Sequence, residues 1–219
     1  MERKSSATDL VSDADRESEE LIVGLLREER PDDALLAEEG DRAEGASGRR
    51  WLVDPLDGTT NYLYGQPQWC VSIALEGEVA VVHDPLRGET FRAASGDGCE
   101  LNGRALRVSD HDRLETALIA TGFAYDASLR AAQADLLRRI LPRVRDIRRA
   151  GSAALDLAWL AAGRLDGYYE RGLKPWDWAA GRLLVREAGG ELADLEGEPA
   201  GLVAASPAIF GPLADLVSS

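Results

Sequence analysis

The chain has 219 residues and a mass of 23.6 kDa, enough for a large core arranged as one domain or as two closely packed halves. Its formal net charge of −14, with 39 acidic against 25 basic side chains and no Lys/Arg run to offset it, argues against a nucleic-acid or anionic-membrane partner. No apolar run approaches the length of a membrane span, and the start, Met1-Glu2-Arg3-Lys4-Ser5-Ser6, is too polar for a signal peptide, so a cytoplasmic protein is expected.

In chain order, the segment from Lys4 to Asp15 is polar and leads into a helix. Apolar residues at Leu21, Ile22, Leu25 and Leu26, with acids at the front, give it an amphipathic pattern that ends at Pro31-Asp32-Asp33. Ala34-Leu35-Leu36-Ala37 is a short buried run that delivers Glu38-Glu39-Gly40. Asp41 to Arg50 is a polar linker, and Trp51-Leu52-Val53 is a strand. From Trp69 the pattern is β: 71–75, a turn at Glu76-Gly77-Glu78, 79–82, a turn at Asp84-Pro85, then 89–93, with tight turns at Gly96-Asp97-Gly98-Cys99 and Asn102-Gly103. This predicts an antiparallel meander. Beyond it, strands at 117–120, 146–149 and 165–170 alternate with helices at 128–141, after Gly151, and at 175–188, and a closing strand and helix follow. The expected organisation is a single catalytic unit, with an α+β part over 1–110 and an α/β part over 111–219. Cys70 and Cys99 read as buried free thiols, and His83 and His111 are isolated and receive no role.

The chemistry concentrates in Trp51-Leu52-Val53-Asp54-Pro55-Leu56-Asp57-Gly58-Thr59-Thr60-Asn61, where an apolar strand runs into two carboxylates, a glycine and paired hydroxyls. Asp54 and Asp57 can both turn inward at a strand end, an arrangement that is costly unless a cation neutralises them. Gly58 lets backbone approach a ligand, and a threonine can cap a helix whose N–H groups suit an anion. Asp-Gly is also an ordinary turn signal, so the stretch read alone fits a simple loop as well. A negative chain acting on phosphate needs divalent cations to reverse the local charge. Arg supplies every basic residue except Lys4 and Lys174.

The second motif decides between these readings. Trp176-Asp177-Trp178-Ala179-Ala180-Gly181, followed by Glu187-Ala188-Gly189-Gly190, together with the first motif, resembles the two signatures of the inositol monophosphatase family of Mg²⁺-dependent, lithium-sensitive phosphatases. Weaker similarities lie at Lys4-Ser5-Ser6, Asp9-Leu10-Val11, Asp15, Glu38-Glu39, Leu101-Asn102-Gly103, Thr121-Gly122-Phe123, Gly151-Ser152-Ala153-Ala154 and Tyr168-Tyr169-Glu170. The resemblance implies a mixed α/β fold, a layered αβαβα sandwich.

It also implies roles. One Mg²⁺ would be held by Glu38, Asp54 and the carbonyl of Leu56, a second by Asp54, Asp57 and Asp177, and a weaker third ion would share Glu38. Glu38 and Thr59 would orient the attacking water, with Asp15 fixing the Thr59 rotamer, and the N–H groups of Gly58 and Thr59 would hold phosphate. The alcohol half would meet Gly151, Ser152, Ala153 and Glu170, with Asp57 and Asp177 reaching hydroxyls. Gly151-Ser152-Ala153-Ala154 reads equally as a close-packed helix start.

The implied activity is hydrolysis of a small phosphate monoester such as inositol monophosphate, with histidinol phosphate or another sugar or polyol phosphate as alternatives, in a homodimer. A catalytically silent scaffold would lack one of the ligands or the threonine, and all of them are present. The family's helix before the position of Lys4 is missing from this sequence, and the stretch from Asp194 to Val203 looks shortened.

Overall fold

The computed structural model describes residues 2, 3 and 10–218, with side chains from Ser12 to Ser218. The similarities noted at Lys4, Ser5, Ser6 and Asp9 lie outside the described residues. Strands β1 (Glu2–Arg3) and β2 (Leu10–Val11) pair antiparallel and lead to helix α1 (Asp13–Glu29). Ser12 caps α1: its Oγ faces the Asp15 N–H at 3.4 Å, while Asp15 Oδ2 accepts from the Ser12 N–H at 3.0 Å.

The first sheet has eight strands in the order β10-β9-β8-β7-β6-β5-β3-β4. Its members are β3 (Ala34–Ala37), β4 (Arg42–Ala43), β5 (Arg50–Asp57), β6 (Cys70–Leu75), β7 (Val79–Asp84), β8 (Glu89–Ala94), β9 (Gly98–Leu101) and β10 (Arg104–Ala105). The short helix α2 (Thr59–Leu63) follows β5. From β5 to β10 the pairing is the expected antiparallel meander, and β3 joins β5 in parallel. The second sheet has the order β12-β11-β13-β15-β14, from β11 (Leu118–Thr121), β12 (Asp146–Arg148), β13 (Gly167–Arg171), β14 (Glu191–Leu195) and β15 (Gly201–Ala205). Helices α3 (Ala127–Ile140), α4 (Ala153–Ala161), α5 (Pro175–Glu187) and α6 (Pro207–Ser218) complete the chain.

The layers are α1 and α2, the first sheet, α4 and α5, the second sheet, then α3 and α6, which is an αβαβα sandwich. The main core lies around α4 and α5 and unites Leu52, Phe91 and Val82 of the first sheet with Tyr168 and Leu202 of the second. A second core lies between the second sheet and α6, around Ile119, Val203, Ile209 and Leu213.

Five local expectations change. The strand carrying the first motif continues through Pro55 to Asp57, which is possible because the ladder to β6 is irregular there and does not need the missing proline N–H. Gly98 and Cys99 begin strand β9 instead of completing a turn, and the linker at 41–50 contains β4. The closing strand is a hairpin of two strands, β14 and β15. Helix α1 meets its expected apolar face only in part: Ile22 and Leu26 pack partly buried against the core beside Val23, and Asp15 and Glu19 are also buried, while Leu21 and Leu25 are 66 % and 55 % exposed. Its inward acids have partners, for Glu19 accepts the N–H groups of Glu39 at 2.7 Å and Asp41 at 3.1 Å.

The middle layer is close-packed. A Cβ placed on Gly181 of α5 would meet Leu157 of α4 at 2.5 Å, so these helices touch through glycine. Gly181→Ala is therefore expected to destabilise the fold by about 1–3 kcal/mol in denaturant unfolding. Gly24→Ala, on α1 with nothing within 4 Å of the new methyl, is expected to stabilise it by roughly 0.5–1 kcal/mol.

Candidate active site

The first motif works because of an irregularity. Asp54 pairs with Ser72 and Asp57 with Cys70, so three steps along β5 match two along β6. Residues three apart on a regular strand point to opposite faces, and one extra residue cancels that alternation. Asp54 and Asp57 thus both line one cavity. Glu38 arrives beside them because β3 runs parallel to β5, and its N–H donates to the Val53 carbonyl at 3.1 Å. Asp177 comes from the first turn of α5, where Pro175 starts the helix and Asp177 Oδ2 accepts the Lys174 N–H at 2.6 Å.

Each aspartate is anchored by one oxygen. Asp54 Oδ1 accepts from the Leu56 N–H at 3.0 Å. Asp57 Oδ2 accepts from the Ser152 hydroxyl and the Ala154 N–H, both at 2.7 Å, which ties the first sheet to the start of α4. Asn61, in the same motif, donates to the carbonyls of Gln68 at 2.6 Å and Ala150 at 2.9 Å and fastens the same junction. Gly58 has φ of +98°, and a Cβ there would lie 2.9 Å from the Gln68 carbonyl oxygen, so glycine is required. The Thr59 hydroxyl donates to Asp15 Oδ1 at 2.8 Å, with the Leu56 carbonyl at 3.2 Å as a second acceptor. Asp15 stands behind Thr59, outside the cavity lining.

The cavity has a volume of about 450 Å³ and also carries Gly151, Ser152, Ala153 and Glu170. The segment at Gly151 serves both readings offered for it, since Ser152 caps α4 and its residues line the cavity. Glu170 lies flat on Gly122, where a Cβ would sit 2.1 Å from both carboxyl oxygens. Tyr168 donates to its Oε2 at 2.8 Å. Two residues given no role from sequence, Arg149 and Asp156, stand in the same wall. Asp156 had one legible signal, an acid in the apolar run Ala153-Ala154-Leu155-Asp156-Leu157-Ala158.

Burial and the neighbouring carboxylates push Asp54 and Asp177 well above the usual aspartate range. Burial raises Asp57 to about 6 against the bonds from Ser152 and Ala154, and raises Glu170 to about 7 against Tyr168 and Arg149. Glu38 is among the neighbouring carboxylates that raise Asp54. As placed, no three His, Cys, Asp or Glu side chains among the described residues form a coordination sphere. The donor chemistry nevertheless suits a divalent ion. Four carboxyl groups from three segments act on one another across a partly enclosed space, and hard oxygen donors of this kind match Mg²⁺. A cation there would offset the repulsion that holds Asp54, Asp57 and Asp177 above the usual range.

Two measurements check this. Asp57 and Glu170 hold protons in the folded state that the unfolded chain, near 3.8 and 4.5, releases at lower pH. Their stabilising contribution is complete below about 3.8 and is lost as pH rises through about 6 to about 7, so chelator-treated protein should melt at lower temperature at pH 7.5 than at pH 5. Mg²⁺ should raise the melting temperature more at pH 7.5. Calorimetry in buffers of different ionisation enthalpy should then show release of about one proton or more per chain when Mg²⁺ binds.

The description "Inositol monophosphatase family" belongs to a family model that matches residues 1–214. The Nus factor SuhB of Escherichia coli (strain K12) is 44 % identical over 200 residues, covering 89 % of this chain and 75 % of that protein. The crystal structure of the extragenic suppressor protein suhB from Bartonella henselae superposes with a TM-score of 0.93 at 41 % identity, over 100 % of this chain and 88 % of that one. The inositol monophosphatase from Anabaena (Nostoc) sp. PCC 7120 gives 0.85 at 38 % identity, over 93 % and 85 %. With the two motifs, the layered fold and these likenesses in agreement, the chain belongs to the inositol monophosphatase family.

Proposed function

We propose that this protein is a Mg²⁺-dependent phosphatase that hydrolyses a small phosphate monoester whose alcohol is rich in hydroxyl groups, as in inositol monophosphate, and that it acts in the cytoplasm as a homodimer. The carrying observation is that Glu38, Asp54, Asp57 and Asp177 line one cavity with Thr59, while Glu170 lines its wall. Two to three Mg²⁺ ions held by Glu38, Asp54, the Leu56 carbonyl, Asp57 and Asp177 would supply charge neutralisation for the phosphate and acidify a water.

The chain's own groups then do the positioning. The Thr59 proton is committed to Asp15, so the Thr59 oxygen presents lone pairs to an O–H of the attacking water. Glu38 takes part in holding that water and receives its proton. The N–H groups of Gly58 and Thr59, brought forward by the left-handed turn at Gly58, would hold phosphate oxygens and stabilise the charge of the transition state. Glu170 accepts from hydroxyls of the leaving alcohol. Histidinol phosphate is the alternative substrate, with its amine at Glu170. The relatives named Nus factor SuhB supply a second reading, a Nus factor role for this chain. The net charge of −14 argues against direct binding of a phosphate backbone in that role.

Asp57→Asn keeps the acceptor for Ser152 and Ala154, so the fold is expected to persist while turnover is abolished. Phosphate release by the purified variant at near the parental rate would refute the metal assignment. In a strain lacking the gene, rescue by this inactive variant would favour the factor role instead. Parental activity should require Mg²⁺, fall with Li⁺ and weaken with Ca²⁺, whose larger and looser shell fits this site poorly. Glu170→Gln should lower kcat/KM on a polyol phosphate by about tenfold, matching loss of a charge-assisted bond of about 1.5–3 kcal/mol, and leave an aryl phosphate nearly unchanged.

A further inference from the structure

Helix α4 carries a carboxyl group that the chemistry above does not use. Asp156 is 2 % exposed, its Oδ1 has no hydrogen-bond partner, and the residue lines the cavity. Protein interiors rarely leave such an oxygen without a donor, so one is expected to come from the cavity.

The position is well defined. The Asp156 N–H donates to the Ser152 carbonyl at 3.0 Å, so Asp156 follows Ser152 by one helical turn on the same face. Ser152 holds Asp57, and Asp156 lies one turn deeper along the same wall. Glu170 reaches that wall from β13, pressed against Gly122. Arg149 crosses the start of α4, with its Nη1 2.6 Å from where a Cβ on Gly151 would stand. Burial and the Glu170 charge push Asp156 well above the usual carboxylate range, while Arg149 pulls both carboxyls down.

We propose that Asp156 is a specificity-determining residue. With Glu170 it accepts O–H groups of the substrate's alcohol half, directly or through a bridging water, while Arg149 donates to a hydroxyl oxygen. This deepens the phosphatase reading and rests on it. A hydroxyl both donates and accepts, so a wall of two acceptors and one guanidinium fork matches vicinal hydroxyls. An ammonium only donates, so it leaves the Arg149 fork without an acceptor, and the two acids, both pushed up by burial, offer it less charge than exposed carboxylates would. A carboxylate ligand meets two acids. The wall therefore favours a neutral polyol over an aminoalcohol.

The test uses the full chain with Mg²⁺ and three substrates: inositol monophosphate, histidinol phosphate and p-nitrophenyl phosphate. The parent should prefer inositol monophosphate to histidinol phosphate by about tenfold or more in kcat/KM. Asp156→Leu, which fills the same buried space without a polar group, should lower kcat/KM on inositol monophosphate by about tenfold, mainly through KM, and change the aryl ester less than about twofold. The Mg²⁺ concentration for half activation should not move. Should the leucine variant fail to fold, Asp156→Asn is expected to give a smaller loss with the same substrate pattern. Equal losses on all substrates, an unchanged inositol monophosphate reaction, or a parental preference for histidinol phosphate would overturn the proposal. A parent inactive on every monoester would overturn the phosphatase reading and this proposal with it, whereas an active parent with the wrong pattern overturns this proposal alone.

Discussion

Four acids facing one another in a partly enclosed space set the terms for the whole molecule. Like charges at such separations repel more strongly than in water, and burial adds a cost for each ionised group. The chain contains the repulsion by taking the acids from segments held apart by the frame: the ends of β3 and β5 and the first turn of α5. Three of them have one oxygen fixed by a backbone or hydroxyl donor, so their side chains cannot swing away from one another. The upward shift of Asp54 and Asp177 shows the same tension from another side. A fold that could relax would separate these groups, and the pairing of β3 with β5 together with the packing of α5 on α4 holds them in place.

The motifs were legible because their residue types are costly elsewhere. Aspartates directly after an apolar strand, followed by Gly58, Thr59 and Thr60, have few structural uses that need all of them together. What brings Asp54 and Asp57 to one side was not legible, since their spacing alone puts them on opposite faces and the correction depends on pairing with β6. Helix α1 was found, but periodicity placed only half of its inward face, since it counts apolar residues: Ile22 and Leu26 pack on the core, whereas Leu21 and Leu25 are exposed. Its inward positions include Asp15 and Glu19, which are buried by partners that only the tertiary structure supplies. Arg149 and Asp156 belong to no short motif, and they meet Glu170 only after β12, α4 and β13 have packed. The β14–β15 hairpin was read as one strand because its second strand, Gly201–Ala205, is buried along nearly its whole length and has no alternating pattern.

The two ends of the cavity differ in how they are built. The acidic end is held mainly by backbone donors and by glycine at position 58, with the Ser152 hydroxyl on Asp57 and Asp15 on Thr59 as its side-chain contacts. The far wall depends on side chains that touch side chains, with Glu170 held by Tyr168 and seated on Gly122. Relatives can therefore keep the chemistry at one end while changing what is read at the other, which fits a family described both as inositol monophosphatases and as SuhB proteins.

The contact of Gly181 with Leu157 has a consequence for molecular size. With no room between α4 and α5, the middle layer acts as a fixed ruler, and the span from the acids to Glu170 is set by the frame. A bulkier alcohol cannot be admitted by spreading the sheets. It must extend outward past Phe123, Ala124 and Tyr125, the loop between β11 and α3 that forms the rim. New substrates would then be acquired by rewriting the doorway, with the room behind it left at its original dimensions.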